Sequence, residues 1–341
     1  MGGGRMNNRR KLLVALGAGA VTAPFASFAQ PQTAKVSRMG ILSPGAPFDA
    51  GRNPSALAVL FGALRESLRE LGHVEGQNIA IESRWAEGNY DRLPGLAGEL
   101  VGLKVDVIVT YGTPASQAAK RATGTIPIVM AGIIDPVASG LVTNLARPGG
   151  NVTGQSMMSP DLVEKQLEIL REVLPKLSRV ALLANPANPG NLPQARHAED
   201  AARALGVRLQ VLEATGPSEI DSAFAAMTNE QAGAFIVLVD AALLDQRMRI
   251  ADLAARRRLP AVYGLREHAE AGGLMAYGPN RLVMFHHAAT FVDKILKGAK
   301  PDDLPIEQPT NFELVINFKA AKALGLTIPQ ALLLRAEEVI Q

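Results

Sequence analysis

Short β-rich runs alternate with amphipathic stretches along most of this chain. Val36–Leu42 reads as a first strand. Pro54–Leu71 reads as a helix, with Leu57, Leu60, Phe61, Leu64, Leu68 and Leu71 at three- and four-residue steps, and Gly72 ends it. Strands are expected at 78–85, 105–110 and 126–131, with helices at 90–101 and 114–121 between them. A second series then begins. Helices are expected at 161–174, 192–205, 218–227, 243–257, 267–271 and 282–296. They alternate with strands at 179–183, 207–212, 234–239, 261–263 and 274–277. The tail predicts a strand near 305–308 and a helix near 316–324.

Strands alternating with helices imply parallel sheets covered on both faces. Two such series predict an α/β protein of two doubly wound lobes. The run Arg147-Pro148-Gly149-Gly150-Asn151-Val152-Thr153-Gly154 breaks helical periodicity and marks the join. The length of 341 residues is enough for two cores.

The first thirty residues have a different character. Asn7-Asn8-Arg9-Arg10-Lys11 is a basic stretch, and Leu12–Ala23 is apolar but too short to cross a bilayer. Ser27-Phe28-Ala29 supplies small residues where a signal peptidase reads them, so residues 1–29 are expected to be a cleaved export signal. Arg9-Arg10 fits a twin-arginine signal, and the general secretory route fits equally. Either route predicts a soluble periplasmic protein. Leu16-Gly17-Ala18-Gly19 imitates a dinucleotide loop, but Thr22 stands where the third glycine belongs.

Charge follows from this segment. The formal net charge is +3, from 35 Lys and Arg against 32 Asp and Glu. Arg5, Arg9, Arg10 and Lys11 account for the excess, so the remainder is close to neutral. No basic stripe for nucleic acid is expected. The absence of cysteine excludes disulfides and Cys-ligated metals. His286 and His287 are adjacent and point to different sides of a helix. All five histidines are expected on helix faces or the surface. No nucleophile–base pair, metal motif or phosphate loop stands out, so neither an enzyme nor a bound cofactor is expected.

In open α/β sheets, ligands bind beyond the carboxyl ends of the strands. That rule selects Ser43, Tyr111, Gly112, Thr113 and Asp135 in the first lobe, and Asn185, Asp240, Tyr263 and Tyr277 in the second. The set suits a zwitterion. Thr113 offers a hydroxyl, and Pro114 opens a helix whose free N–H groups attract a carboxylate. Asp135 or Asp240 offers a counter-charge for an ammonium group, and the tyrosines offer stacking surface. Structural roles compete: Asp135 and Asp240 also stand where helix caps belong, and Asn185-Pro186-Ala187-Asn188-Pro189 also reads as a rigid turn.

Several ordered stretches carry a resemblance. They include Leu71-Gly72-His73-Val74-Glu75-Gly76-Gln77-Asn78, Arg84-Trp85-Ala86-Glu87-Gly88, Asp135-Pro136-Val137 and Leu145–Gly154. Glu270-Ala271-Gly272-Gly273-Leu274-Met275 and Ala321-Lys322-Ala323-Leu324-Gly325-Leu326 continue the set. The chain resembles ABC-transporter substrate-binding proteins of the group that includes tryptophan- and tyrosine-linked importers. The resemblance implies the type I periplasmic-binding fold and an amino-acid ligand, often aromatic, held by the Thr113 loop and Asp135. It implies an ABC permease as membrane partner; the sequence does not set the oligomeric state, and a monomer is the default expectation for that role. It also implies lobes of 36–153 plus 272–300, and 154–271 plus 301–341. Ile133-Ile134 departs from the small residue common before this aspartate, which puts bulk beside the expected pocket. An exported sensor that presents its ligand to a membrane receptor would share the same fold and pocket.

Overall fold

The computed structural model describes residues 1–2, 36–48, 54–157 and 162–341. The expected export signal therefore lies outside the described residues, save Met1 and Gly2.

The first lobe is a parallel five-stranded sheet. Its strands are β1 (Ser37–Ser43), β2 (Ile79–Trp85), β3 (Val107–Thr110), β4 (Ile128–Ile133) and β5 (Val152–Ser156), in the order β2-β1-β3-β4-β5. Helices α1 (Ala56–Glu70), α2 (Leu93–Gly102) and α3 (Thr113–Ala122) alternate with these strands. The Ser55 hydroxyl caps α1 by accepting the Ala58 N–H, and it donates to the Ala46 carbonyl. The α1 stripe of Leu57, Leu60, Phe61, Leu64 and Leu68 is buried, as its spacing demands.

The second lobe holds α4 (Leu162–Val173), β6 (Arg179–Ala184), α5 (Asn191–Ala204), β7 (Arg208–Glu213), α6 (Pro217–Asn229) and β8 (Ala234–Val237). It continues through α7 (Ala241–Asp245), α8 (Arg247–Arg256), β9 (Ala261–Tyr263), α9 (Arg266–Glu270) and β10 (Met275–Pro279). Next comes α10 (Arg281–Leu296), which packs on α1 and β4 in the first lobe. The chain then returns to the second lobe as β11 (Phe312–Asn317), α11 (Phe318–Leu324), α12 (Gln330–Leu333) and β12 (Glu338–Ile340). The second sheet runs β12-β11-β10-β9-β8-β6-β7 and is parallel except for the antiparallel pair β10–β11.

Three lobe boundaries move. The crossing expected at Gly272 falls after Pro279, because β10 pairs on both sides within the second sheet. The return expected at Pro301 falls after Glu307, which still bridges Gln155 at the edge of the first sheet. The first lobe also extends past Thr153, since β5 runs to Ser156. The strand expected at 305–308 is only this isolated bridge, and the tail strand is β11.

The join region contains β5, where a linker is expected. Gly154 makes this pairing possible. Its φ is +121°, and a Cβ there would stand 2.3 Å from the Met130 carbonyl oxygen. Only glycine lets β5 approach β4 so closely.

Each sheet is covered on both faces by apolar side chains. One first-lobe core joins Phe61, Ile41, Val109, Phe285 and Phe291, and it includes Val239, Ala241, Leu244 and Leu265 from the second lobe. The two lobes therefore share apolar packing where their strand ends face each other.

Candidate functional site

The carboxyl ends of both sheets converge on a narrow seam. Its lining includes Pro44, Tyr90, Tyr111, Gly112, Ile134 and Met157 from the first lobe and its crossover, with Asn188, Val239 and Asp240 opposite. The pocket that these residues enclose is about 10 Å³, and the Tyr90 hydroxyl crosses it to Asp240 and Ala242, so the lobes are closed on one another at this seam.

Asp240 is the polar centre of the seam. It is buried, and four donors meet its carboxylate. Oδ1 accepts from Asn185 Nδ2 at 2.9 Å and from the Leu243 N–H at 3.0 Å. Oδ2 accepts from Asn188 Nδ2 at 3.0 Å and from the Tyr90 hydroxyl at 2.8 Å. Asp240 thus caps α7 and also organises the Asn185–Asn188 turn. The structural and functional readings of this aspartate coincide in one set of bonds. Asn191 secures the turn by accepting the Asn185 N–H and donating to the Val239 carbonyl.

Thr113 opens α3, and its side chain is completely buried. Its Oγ1 has no hydrogen-bond partner among the described residues, and neither has the buried Ser43 Oγ at the end of β1. Buried hydroxyls without partners are rare, because their desolvation goes uncompensated. Facing Thr113 across the seam is Gly190, where a Cβ would lie 2.6 Å from Thr113 Oγ1 and 3.2 Å from Ile134 Cβ. Closure of the lobes depends on the bare backbone at this point.

Beside this centre lies a second bridge. The Tyr111 hydroxyl accepts from Arg281 Nη1 at 2.9 Å, and Arg281 is ion-paired with Glu267 of the second lobe. Burial raises the Tyr111 phenol, while Arg281 acts against that rise. Burial also opposes charge on Glu267, yet Arg281 holds its carboxyl below the ordinary value. A third bridge joins the Ala46 N–H to Asp245 Oδ2 at 3.2 Å. Burial pushes Asp245 up to about 6, against the pull of the Ala46 N–H and Arg247.

The expected residues therefore divide. Tyr111, Gly112 and Asp240 line the seam, Thr113 abuts it, and Asn185 reaches it through Asp240. Ser43 precedes the lining residue Pro44. Asp135 is only half-buried, and its Oδ1 accepts from the Val137 and Ala138 N–H groups as a turn cap. Tyr263 is wholly buried in the second-lobe core, stacked on His268 at 4.8 Å. Tyr277 packs against Phe312. Neither of these two tyrosines lines the seam. His268 lies on the buried face of α9, and burial lowers it to about 4.

Tyr90, Asn188, Arg281 and Glu267 were not among the expected site residues. Tyr90 follows β2 through Ala86–Asn89, so the strand-end rule, applied to β2 as to its neighbours, reaches it. Arg281 gives no such signal, since its place depends on the crossover after β10.

This closed pair of lobes matches a known group. Residues 53–340 match the family described as ABC transporter substrate binding protein. The chain belongs to this family. A curated relative, the "Tyrosine-binding protein" of Clostridioides difficile (strain R20291), is 26% identical over 261 residues, covering 76% of this chain and 75% of the relative. The structure of an ABC domain from Streptococcus pneumoniae in complex with L-Trp superposes with a TM-score of 0.82 at 26% identity, covering 89% of this chain and 99% of that one. The ligand-free, open structure of a substrate binding protein with adhesive properties from Clostridium difficile gives 0.64 at 25% identity, covering 90% and 100%. At nearly equal identity, the ligand-bound relative fits better than the open one, as the closed seam requires. The fold is the type I periplasmic-binding fold, and the family is one of solute-binding proteins. Among the described residues, no helix is long and apolar enough to cross a membrane.

Proposed function

We propose that this chain is the exported receptor of an ABC importer, capturing a small carboxylate-bearing solute between its lobes and delivering it to a membrane permease. Amino acids are the leading class, in line with the tyrosine and tryptophan named for its relatives. The observation that carries the reading is Thr113. Its buried, unpartnered hydroxyl sits in the first turn of α3, against the opposite lobe. Backbone N–H groups of a helix's first turn lack intrahelical acceptors and favour an anion. A ligand carboxylate there would satisfy the hydroxyl and the helix end together.

An ammonium group would meet Asp240. Four neutral donors already occupy that carboxylate, so an ammonium group would displace one of them and replace a neutral hydrogen bond with an ion pair. Ile134 lines the seam and limits the size of the ligand side chain. Lobe closure is driven only by contacts made better in the closed state.

The test is direct. The chain is purified from its periplasmic fraction and denatured, and the released small molecules are identified by mass spectrometry. A stoichiometric amino acid or related carboxylate supports the proposal. A stoichiometric solute without a carboxylate sinks the ligand assignment.

A further inference from the structure

Tyr90 belongs to the first lobe, yet both hydrogen bonds of its hydroxyl are made to the second. The hydroxyl donates to Asp240 Oδ2 at 2.8 Å and accepts from the Ala242 N–H at 3.2 Å. Its position is prepared on both sides. Asn89 caps the single 3-10 turn Tyr90–Arg92 by accepting the Asp91 N–H. Asp240 is held within its own lobe by Asn185, Asn188 and the Leu243 N–H, bonds that do not involve the first lobe.

We infer that Tyr90 is a lobe latch: its hydroxyl bond to Asp240 stabilises the closed form independently of the ligand, and so sets how long the lobes stay shut. The inference rests on the two-lobed closing reading but not on any ligand identity. Three physical points support it. A phenol donating to a carboxylate is a charge-assisted bond, stronger than a neutral one. Opening the lobes removes both partners of the hydroxyl at once. The acceptor is already in place, so little ordering is needed when the bond forms. The latch is also placed to sense the ligand site, because Asn188, which shares Asp240 Oδ2 with Tyr90, lies two residues before Gly190, the residue facing Thr113.

The chain has no cysteine, so two can be introduced for spin labels without competition. Gly62→Cys in α1 and Ala204→Cys in α5 are exposed positions on opposite lobes. Pulsed electron paramagnetic resonance on the ligand-stripped chain then reads the distribution of distances between lobes. A measurable short-distance population is expected with Tyr90 present. Tyr90→Phe should lower the ratio of closed to open forms at least about tenfold, as expected for one lost hydrogen bond to a charged group. Asp240→Asn reads the same bond from the other side and should shift the ratio in the same direction, should the Phe variant fold poorly. No closed population in the parent, or identical distributions in parent and variants, overturns the latch. A solute screen without hits would sink the receptor reading while leaving this result intact, so the two failures can be told apart.

Discussion

Thr113 Oγ1 and Gly190 face each other across the two lobes so closely that a single added carbon on Gly190 would stand 2.6 Å from the hydroxyl oxygen. The Gly190 backbone is ordinary, with φ −72° and ψ −20°, so alanine fits its conformation. Gly190→Ala should therefore leave folding of the second lobe unchanged and block full closure. The expected result in calorimetry is affinity weakened at least about tenfold, with a melting temperature near that of the parent. Unchanged affinity would mean that closure does not bring these two residues together.

Thr113→Val separates stability from binding. It removes a buried hydroxyl that has no partner and keeps the shape. The melting temperature should stay level or rise, since an unsatisfied buried group costs about 1–3 kcal/mol. Ligand affinity should fall at least about tenfold, the weight of one hydrogen bond to a charged ligand group. A loss of stability with affinity intact would assign Thr113 to structure alone.

Asp135 is expected to act through its cap. Asp135→Asn keeps the oxygen that accepts from Val137 and Ala138, and affinity should remain unchanged. Asp135→Ala loses the cap and should lower stability by about 1 kcal/mol. A large loss of affinity in the Asn variant would restore Asp135 as a charge partner of the ligand.

Half-buried Asp245 and buried His268 give opposite pH trends. Asp245 titrates near 6 when folded and near 3.8 as an unperturbed group. Between those values the native chain holds the extra proton, so this group's contribution to stability falls as pH rises through that window. His268 titrates near 4 when folded, against an ordinary 6.5. There the unfolded chain holds the extra proton, so stability falls as pH drops from 6.5 towards 4. Thermal melts from pH 4 to 7 should show Asp245→Asn losing less stability than the parent as pH rises, and His268→Gln losing less as pH falls. Parallel profiles for parent and variants would contradict the burial argument.

Much of the fold is written in local patterns. Continuous apolar runs at β3 and β8, and the leucine stripe of α1, follow from burial on both sheet faces and on one helix face. The crossovers are not local. Whether β10 stays in the second sheet depends on its pairing with β9 and with the antiparallel β11, contacts that no short window contains. β5 escapes a periodicity reading because Gly154, which the close strand approach requires, looks like a turn residue.

The site was legible in position but less so in direction. The strand-end rule leads to the Thr113 and Asp240 loops, which lie at the seam between the lobes. Tyr263 also ends a strand, but its ring enters the second-lobe core, because successive side chains of a strand leave on opposite faces. Tyr277 is half-buried against Phe312 for the same reason. Tyr90 opens a segment that reads as a helix start, and its bond to Asp240 appears only when the second lobe is placed against it.

The most direct measurement of the central claim is a thermal-shift screen of residues 30–341, stripped of co-purified solute, against amino acids and related small carboxylates. A bound solute at a hundred times its Kd stabilises the folded chain by about 2.7 kcal/mol. At least one such solute should raise the melting temperature by several degrees in the parent and far less in Thr113→Val. No shift with any of these solutes, or equal shifts in parent and variant, would contradict capture of a carboxylate between the two lobes.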